Sequence, residues 1–164
     1  MNKELNYEAI IKKIATMKEG RDFDLSVEED LAIAIMNLIS LEEHFFFTGS
    51  KTEKPEYFDL LLEVRSMRTK LLARMIDKTE GESWCISKHL LATTMRLFEV
   101  GTKLQSSGKK DEAKETFEQA FKVFNMFFAL RLKIIDISNI KVVDTNKPMT
   151  MNDIMGKLVD CCKE

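Results

Sequence analysis

The sequence predicts an all-α protein: an antiparallel bundle of about five helices followed by a short C-terminal amphipathic helix. Three observations predict it. Apolar residues recur at helical spacing through most of the chain. Only two prolines and six glycines interrupt its 164 residues, so long helices are possible. Polar turn clusters separate the periodic stretches. Residues 1–143 read as the bundle, 144–149 as a linker, and 150–164 as a helix that docks on the bundle or on a partner.

Residues 4–19 form the first amphipathic stretch, with Ile10, Ile11, Ile14 and Met17 on one face and Gly20 as the stop. After the connector Arg21–Asp24, Ser26-Val-Glu-Glu29 has the form of a capping box. The helix it opens reaches about Thr48. Its heptad stripe is Leu31, Ile35, Leu38, Glu42 and Phe45, with Ile39 and Phe46 alongside. Residues 49–54 read as a loop, and Pro55 suits a first helical turn. The helix from Pro55 to Asp77 carries the stripe Tyr57, Leu61, Val64, Arg68, Leu71 and Met75.

Residues 84–131 read as a central helical hairpin. In its first helix Trp84, Leu91, Met95 and Phe98 share one stripe. Ile86, Leu90, Leu97, Val100 and Leu104 share another, and the small residues Ser87, Thr94 and Gly101 run between them at heptad spacing. Apolar residues on two sides and small residues between them suit a helix buried over most of its girth. Cys85, His89, Arg96, Glu99 and Lys103 form its polar strip. Gly108 suits a left-handed C-cap. Asp111 and Glu112 suit the positive end of the next helix dipole. That helix continues past Arg131 toward Ile137, with Ala113, Phe117, Ala120, Phe124 and Phe127 inward and Phe121 and Phe128 widening the face.

Leu97, Gly101, Leu104, Gly108, Ala113, Phe117 and Ala120, with Asp111-Glu112-Ala113, stand in the order and spacing of a repeat motif. Residues 97–125 therefore resemble a single tetratricopeptide (TPR) hairpin. The family's later Pro is replaced by Asn125, and no second copy occurs in the chain. Such repeats stack in groups of at least about three. The resemblance thus implies a helix–turn–helix unit and not the family's binding groove.

Composition excludes several classes. The chain is 45% apolar and 32% charged with net charge −2, which suits a folded domain without a basic stripe for nucleic acid. No apolar stretch is expected to approach the ~20 residues of a membrane span, and Met1–Asn6 lacks a signal-type apolar run. Three cysteines do not make a disulfide framework, so a reducing cytoplasm is the expected location.

The common catalytic motifs are missing. Paired metals in helical bundles use Glu-x-x-His, but Leu41 precedes His44 by three and Ile86 precedes His89 by three. Gly-rich phosphate loops and a GxSxG elbow are absent from the sequence. Cys85 and His89, four apart on one helix, could give two zinc ligands, with Cys161 and Cys162 as others, though not at CxxC spacing. No third orienting group stands near them for a nucleophile pair. In the run Glu42-Glu43-His44-Phe45-Phe46-Phe47, Glu43 and His44 read as a polar edge beside inward Phe45 and Phe46.

Charges interrupt three apolar rows. A buried ion must be paired, hydrogen-bonded or neutralised. Counted about a 49–54 turn, Glu42 lies level with Leu61, with Arg65 about one turn away and Arg68 about two. Glu42 is expected to meet Arg65 or Arg68. Arg131 falls level with Cys85, in the layer of Glu28, and is expected to meet Glu28 or backbone carbonyls. The C-terminal helix offers Met151, Ile154, Met155, Leu158, Val159 and Cys162 as one apolar face.

These residues lead to a non-enzymatic helical module for binding another protein or for self-association, with no cofactor expected. The alternative is a bundle holding a small ligand or a metal such as zinc at its interior charges.

Overall fold

A computed structural model describes residues 24–78 and 82–134, with residues 8, 11, 12, 15 and 16. Four helices organise the continuous part: α1 (Leu25–Thr52), α2 (Glu56–Leu72), α3 (Glu82–Ser106) and α4 (Lys110–Arg131). No strand occurs among the described residues. The five helical residues between 8 and 16 fall within the helix expected over 4–19. The rest of that helix, the 144–149 linker and the 150–164 helix lie outside the described residues, so the five-plus-one count narrows to four described helices.

α1 and α2 form one antiparallel hairpin, α3 and α4 a second, and the two meet chiefly through α1 and α3. Nine buried residues make the joint core: Ala32, Ile35 and Met36 of α1, Leu72, Met75 and Ile76 at the end of α2, Trp84 and Leu91 of α3, and Phe127 of α4. Every one lies toward the start of α1 or α3, or toward the end of α2 or α4. The core therefore fills one end of the molecule, away from the two hairpin turns.

Local chemistry corrects four expected boundaries. Asp24, not Ser26, caps α1: its extended backbone lets its carboxylate accept the Ser26 N–H at 2.9 Å. This starts the helix one residue before the expected box and sets Glu28 in the first turn. At the other end α1 runs through Gly49 to Thr52, and Glu53 turns the chain at φ 57°. Gly49 is a packing residue here, because a Cβ would stand 2.9 Å from Phe58 Cε1. The expected 49–54 loop thus shrinks to a turn centred on residue 54. α2 ends at Leu72, five residues short of Asp77. The chain turns there so that Met75 and Ile76 can both enter the core.

Two helix ends share one solution. After α3, Gly108 at φ 79° lets Lys109 N–H reach Leu104 O at 3.0 Å and Gly108 N–H reach Gln105 O at 3.2 Å. After α4, Lys133 at φ 52° does the same, with Ile134 N–H on Ala129 O and Lys133 N–H on Leu130 O. Both are Schellman motifs, but only the first uses glycine. α4 therefore stops at Arg131 instead of continuing toward Ile137.

By length and composition α1 could cross a membrane: an 18-residue window has mean hydropathy 1.3. This corrects the expectation that no stretch approaches a span. In this fold α1 turns Ala32, Ile35 and Met36 into the core.

Candidate functional site

The interior charges form two pairs, at different levels of α1. Arg68 donates from Nε to Glu42 Oε1 at 2.8 Å and from Nη2 to Oε2 at 3.3 Å. Arg65 stands 4.0 Å from the same carboxylate and is far more exposed. The shortened turn explains the choice. With its centre at residue 54, Glu42 falls level with positions between Arg65 and Arg68, and Arg68 is the one whose face points inward. Arg68 is only 1% exposed, which leaves its guanidinium dependent on Glu42 and its other protein partners.

Arg131 donates from Nε to Glu28 Oε2 at 2.7 Å and from Nη2 to Oε1 at 3.2 Å. This pair links the first turn of α1 to the last turn of α4. The Arg131 side chain is 21% exposed, so water shares in its solvation. Glu28 and Glu42 are two heptads apart on one face of α1, roughly 21 Å along the axis. The five charged residues therefore make two register locks and not one polar cluster.

The cysteine–histidine pair separates. Cys85 is buried although the wheel put it on the polar strip, because α3 turns that edge into the joint core beside Trp84. His89 is exposed one turn later. No group of three His, Cys, Asp or Glu residues that could hold a metal occurs among the described residues, and Cys161 and Cys162 lie outside them.

Core-facing stripes lose their cover toward the hairpin turns. On α1, Phe46 lies one heptad beyond Ile39, which packs against the core, yet Phe46 is 50% exposed. On α3, Trp84 and Leu91 are buried, Met95 is half-buried, and Phe98 on the same stripe is 50% exposed. Val100 is similarly exposed, so the expectation of a helix buried over most of its girth fails beyond Met95. The level of divergence is marked by Arg96, which reaches Ser40 at 3.1 Å and Glu43 at 3.6 Å. Beyond it the hairpins close on themselves: Phe45 meets Tyr57, and Phe98 meets Phe117. Phe46 and Phe47 form an edge-to-face pair with ring centroids 5.2 Å apart, both turned to solvent. The inward placement expected for Phe46 is thus corrected, because the described part of the second hairpin has diverged at that level.

Two concavities border α4. One, of about 530 Å³, lies between the segment 73–78 and the end of α4, with Arg74, Asp77, Lys78, Arg131 and Lys133 on its wall. The other, of about 280 Å³, is a groove between the start of α1 and α4. Leu25, Phe121, Phe124, Phe128 and Leu132 line it together with the polar Glu29 and Asn125. In the sequence Phe121 and Phe128 only widen a helical face and carry no mark of a site. The usable signal was aromatic density: phenylalanines at 117, 121, 124, 127 and 128 are more than one core stripe can bury.

Comparisons with protein-family models, with curated proteins and with solved structures find no match.

Proposed function

We propose that this chain is a non-enzymatic helical module that binds another protein or a second copy of itself through the open ends of its two hairpins. One observation carries the reading. Phe46 and Phe98 occupy core-facing stripes, but each remains half exposed where the hairpins diverge. Exposed aromatics grouped on one end are the usual mark of a surface that another chain covers. Two hairpins stacked through their first helices also suit a TPR-like unit, since hairpin repeats build binding surfaces by such stacking. The proposal includes the segments 4–19 and 150–164 as further amphipathic helices of the same array, and a cytoplasmic setting.

Light scattering coupled to size exclusion tests it. The intact chain should gain mass with concentration, or with an added partner, and Phe46→Glu with Phe47→Glu should abolish the gain while leaving helicity unchanged. Assembly that survives both substitutions would locate the interface elsewhere.

A second reading is favoured by the cavity at the ends of α2 and α4. Its wall carries Arg74, Lys78 and Lys133 against Asp77, with Arg131 already neutralised by Glu28, and this excess of positive charge suits a small anion. A ligand bound at a hundredfold over its Kd raises stability by about 2.7 kcal/mol. A thermal shift with phosphate or citrate, lost in Arg74→Ala, would support that reading, and a flat titration would remove it.

A further inference from the structure

We infer that the groove between α1 and α4 is the seat of the chain's own C-terminal helix, residues 150–164. This goes beyond the binding role proposed above, because it uses a different surface.

The groove is lined chiefly by the apolar side chains of Leu25, Phe121, Phe124, Phe128 and Leu132. Phe121 is 67% exposed, the most exposed phenylalanine among the described residues. Among the described residues, α1 and α4 are joined side chain to side chain by the Glu28–Arg131 pair, and few other contacts bridge them. That leaves a trough along α4 whose length is set by Phe121 and Leu132, about 16 Å at 1.5 Å per residue.

The C-terminal segment matches it in kind and size. Its apolar stripe begins at Met151 and ends at Cys162, which at helical rise is again about 16 Å. On a helical wheel Lys157 and Lys163 fall on opposite sides of the stripe, and their charge complements Glu29 on the groove wall. Asp153 and Asp160 fall on the opposite, outer face. A helix of this length is marginal in water by itself and needs an apolar surface to form.

Chain connectivity and length together select the occupant. Leu25 and Leu132 both line the groove, so the segments 4–19 and 150–164 are both tethered beside it. The apolar face of 4–19, Ile10 to Met17, covers only about 10 Å, whereas the stripe of 150–164 matches the trough. The fifteen residues 135–149 can span up to about 50 Å. They can deliver the helix into the trough in either direction. A short tether gives an effective concentration on the order of millimolar, above that of any free partner at ordinary concentration. The tail of the same chain is therefore favoured over a second copy.

Hydrogen exchange on the intact protein tests this. Amides of 150–164 should exchange about tenfold or more slowly than coil, at a rate independent of protein concentration. Phe121→Glu should return them to coil rates while leaving exchange in α3 unchanged. Leu158→Glu, which lies outside the four-helix core, should do the same and should raise dye binding at the uncovered groove. Coil rates in the unmodified chain would overturn the inference. So would protection that persists in both variants, or protection that grows with concentration, which would assign the groove to a second copy. Failure of self-association in Phe46→Glu/Phe47→Glu bears only on the hairpin ends and leaves this outcome independent.

Discussion

The two hairpins solve the same packing problem by different means. In α3–α4 the seam is steric. Ser87, Thr94 and Gly101 of α3 are buried, as are Ala113 and Ala120 of α4, and a Cβ on Gly101 would stand 2.6 Å from Phe117 Cε1. In α1–α2 the seam is electrostatic at its centre, where Glu42 holds the buried Arg68. It becomes steric again only near the turn, where Gly49 faces Phe58. Small residues specify how near two helices come, while an ion pair specifies which residues stand level. The α3–α4 hairpin is fixed chiefly by distance and the α1–α2 hairpin chiefly by register.

The largest effect should come from breaking the register lock. Glu42→Gln leaves a buried guanidinium short of its charged partner, and removing one partner of a buried pair costs about 3–5 kcal/mol. Arg68→Met in the same chain should restore part of that loss, whereas Arg65→Met should restore little, because Arg65 is half-exposed and stands 4.0 Å from the carboxylate. Chemical denaturation of the two single variants and the double variant gives the coupling; strictly additive losses would remove the electrostatic account of this hairpin.

The next effect separates the two glycines. Gly101→Ala drives a methyl into the Phe117 ring, and overpacking costs about 1–3 kcal/mol. At Gly49 the clash is milder, with the tip of the partly exposed Phe58 ring at 2.9 Å and Tyr57 Cβ at 3.2 Å. Alanine gains about 1 kcal/mol of helix propensity over glycine at both positions, which offsets the milder clash at Gly49 and only part of the harder one at Gly101. Gly49→Ala should therefore be close to neutral while Gly101→Ala destabilises. Equal losses in thermal melts would mean that both seams are equally steric.

The Glu28–Arg131 pair sharpens the electrostatic half of the comparison. It has the same bidentate geometry as Glu42–Arg68 but more water around it. Glu28→Gln should cost about 1.5–3 kcal/mol, the scale of a charge-assisted hydrogen bond rather than of a stranded ion. A loss as large as that of Glu42→Gln would show that α1 and α4 depend on this contact far more than their sparse packing suggests.

The smallest effect has the opposite sign. Ser87 Oγ is fully buried and makes no hydrogen bond, the one such side-chain atom among the described residues. Its hydroxyl costs stability without contributing a bond. Ser87→Ala keeps the seam narrow and should raise the melting temperature by the equivalent of about 1 kcal/mol. A drop would indicate that the hydroxyl fills space that alanine leaves empty.

The sequence alone carried the helical class, the small-residue seam at Ser87, Thr94 and Gly101, the cap at Gly108, and a narrowed choice of ion pairs, Arg65 or Arg68 for Glu42 and Glu28 or backbone carbonyls for Arg131. Those features depend on periodicity and on chain counting, and both are local. It misjudged where α1, α2 and α4 stop. Gly49 reads as a terminator when only its neighbours in sequence are known, and as a packing site once Phe58 lies against it. Nothing local marks Leu72 or Arg131 as an end. α2 stops because Met75 and Ile76 gain more from the shared core than from another helical turn, and α4 stops with Lys133 in a conformation that its side chain does not favour. The burial of Cys85, the exposure of Phe46 and Phe98, and the groove beside Phe121 were likewise decided by tertiary structure. A helical wheel gives the direction of a side chain, but only the divergence of two hairpins decides whether anything stands there to cover it.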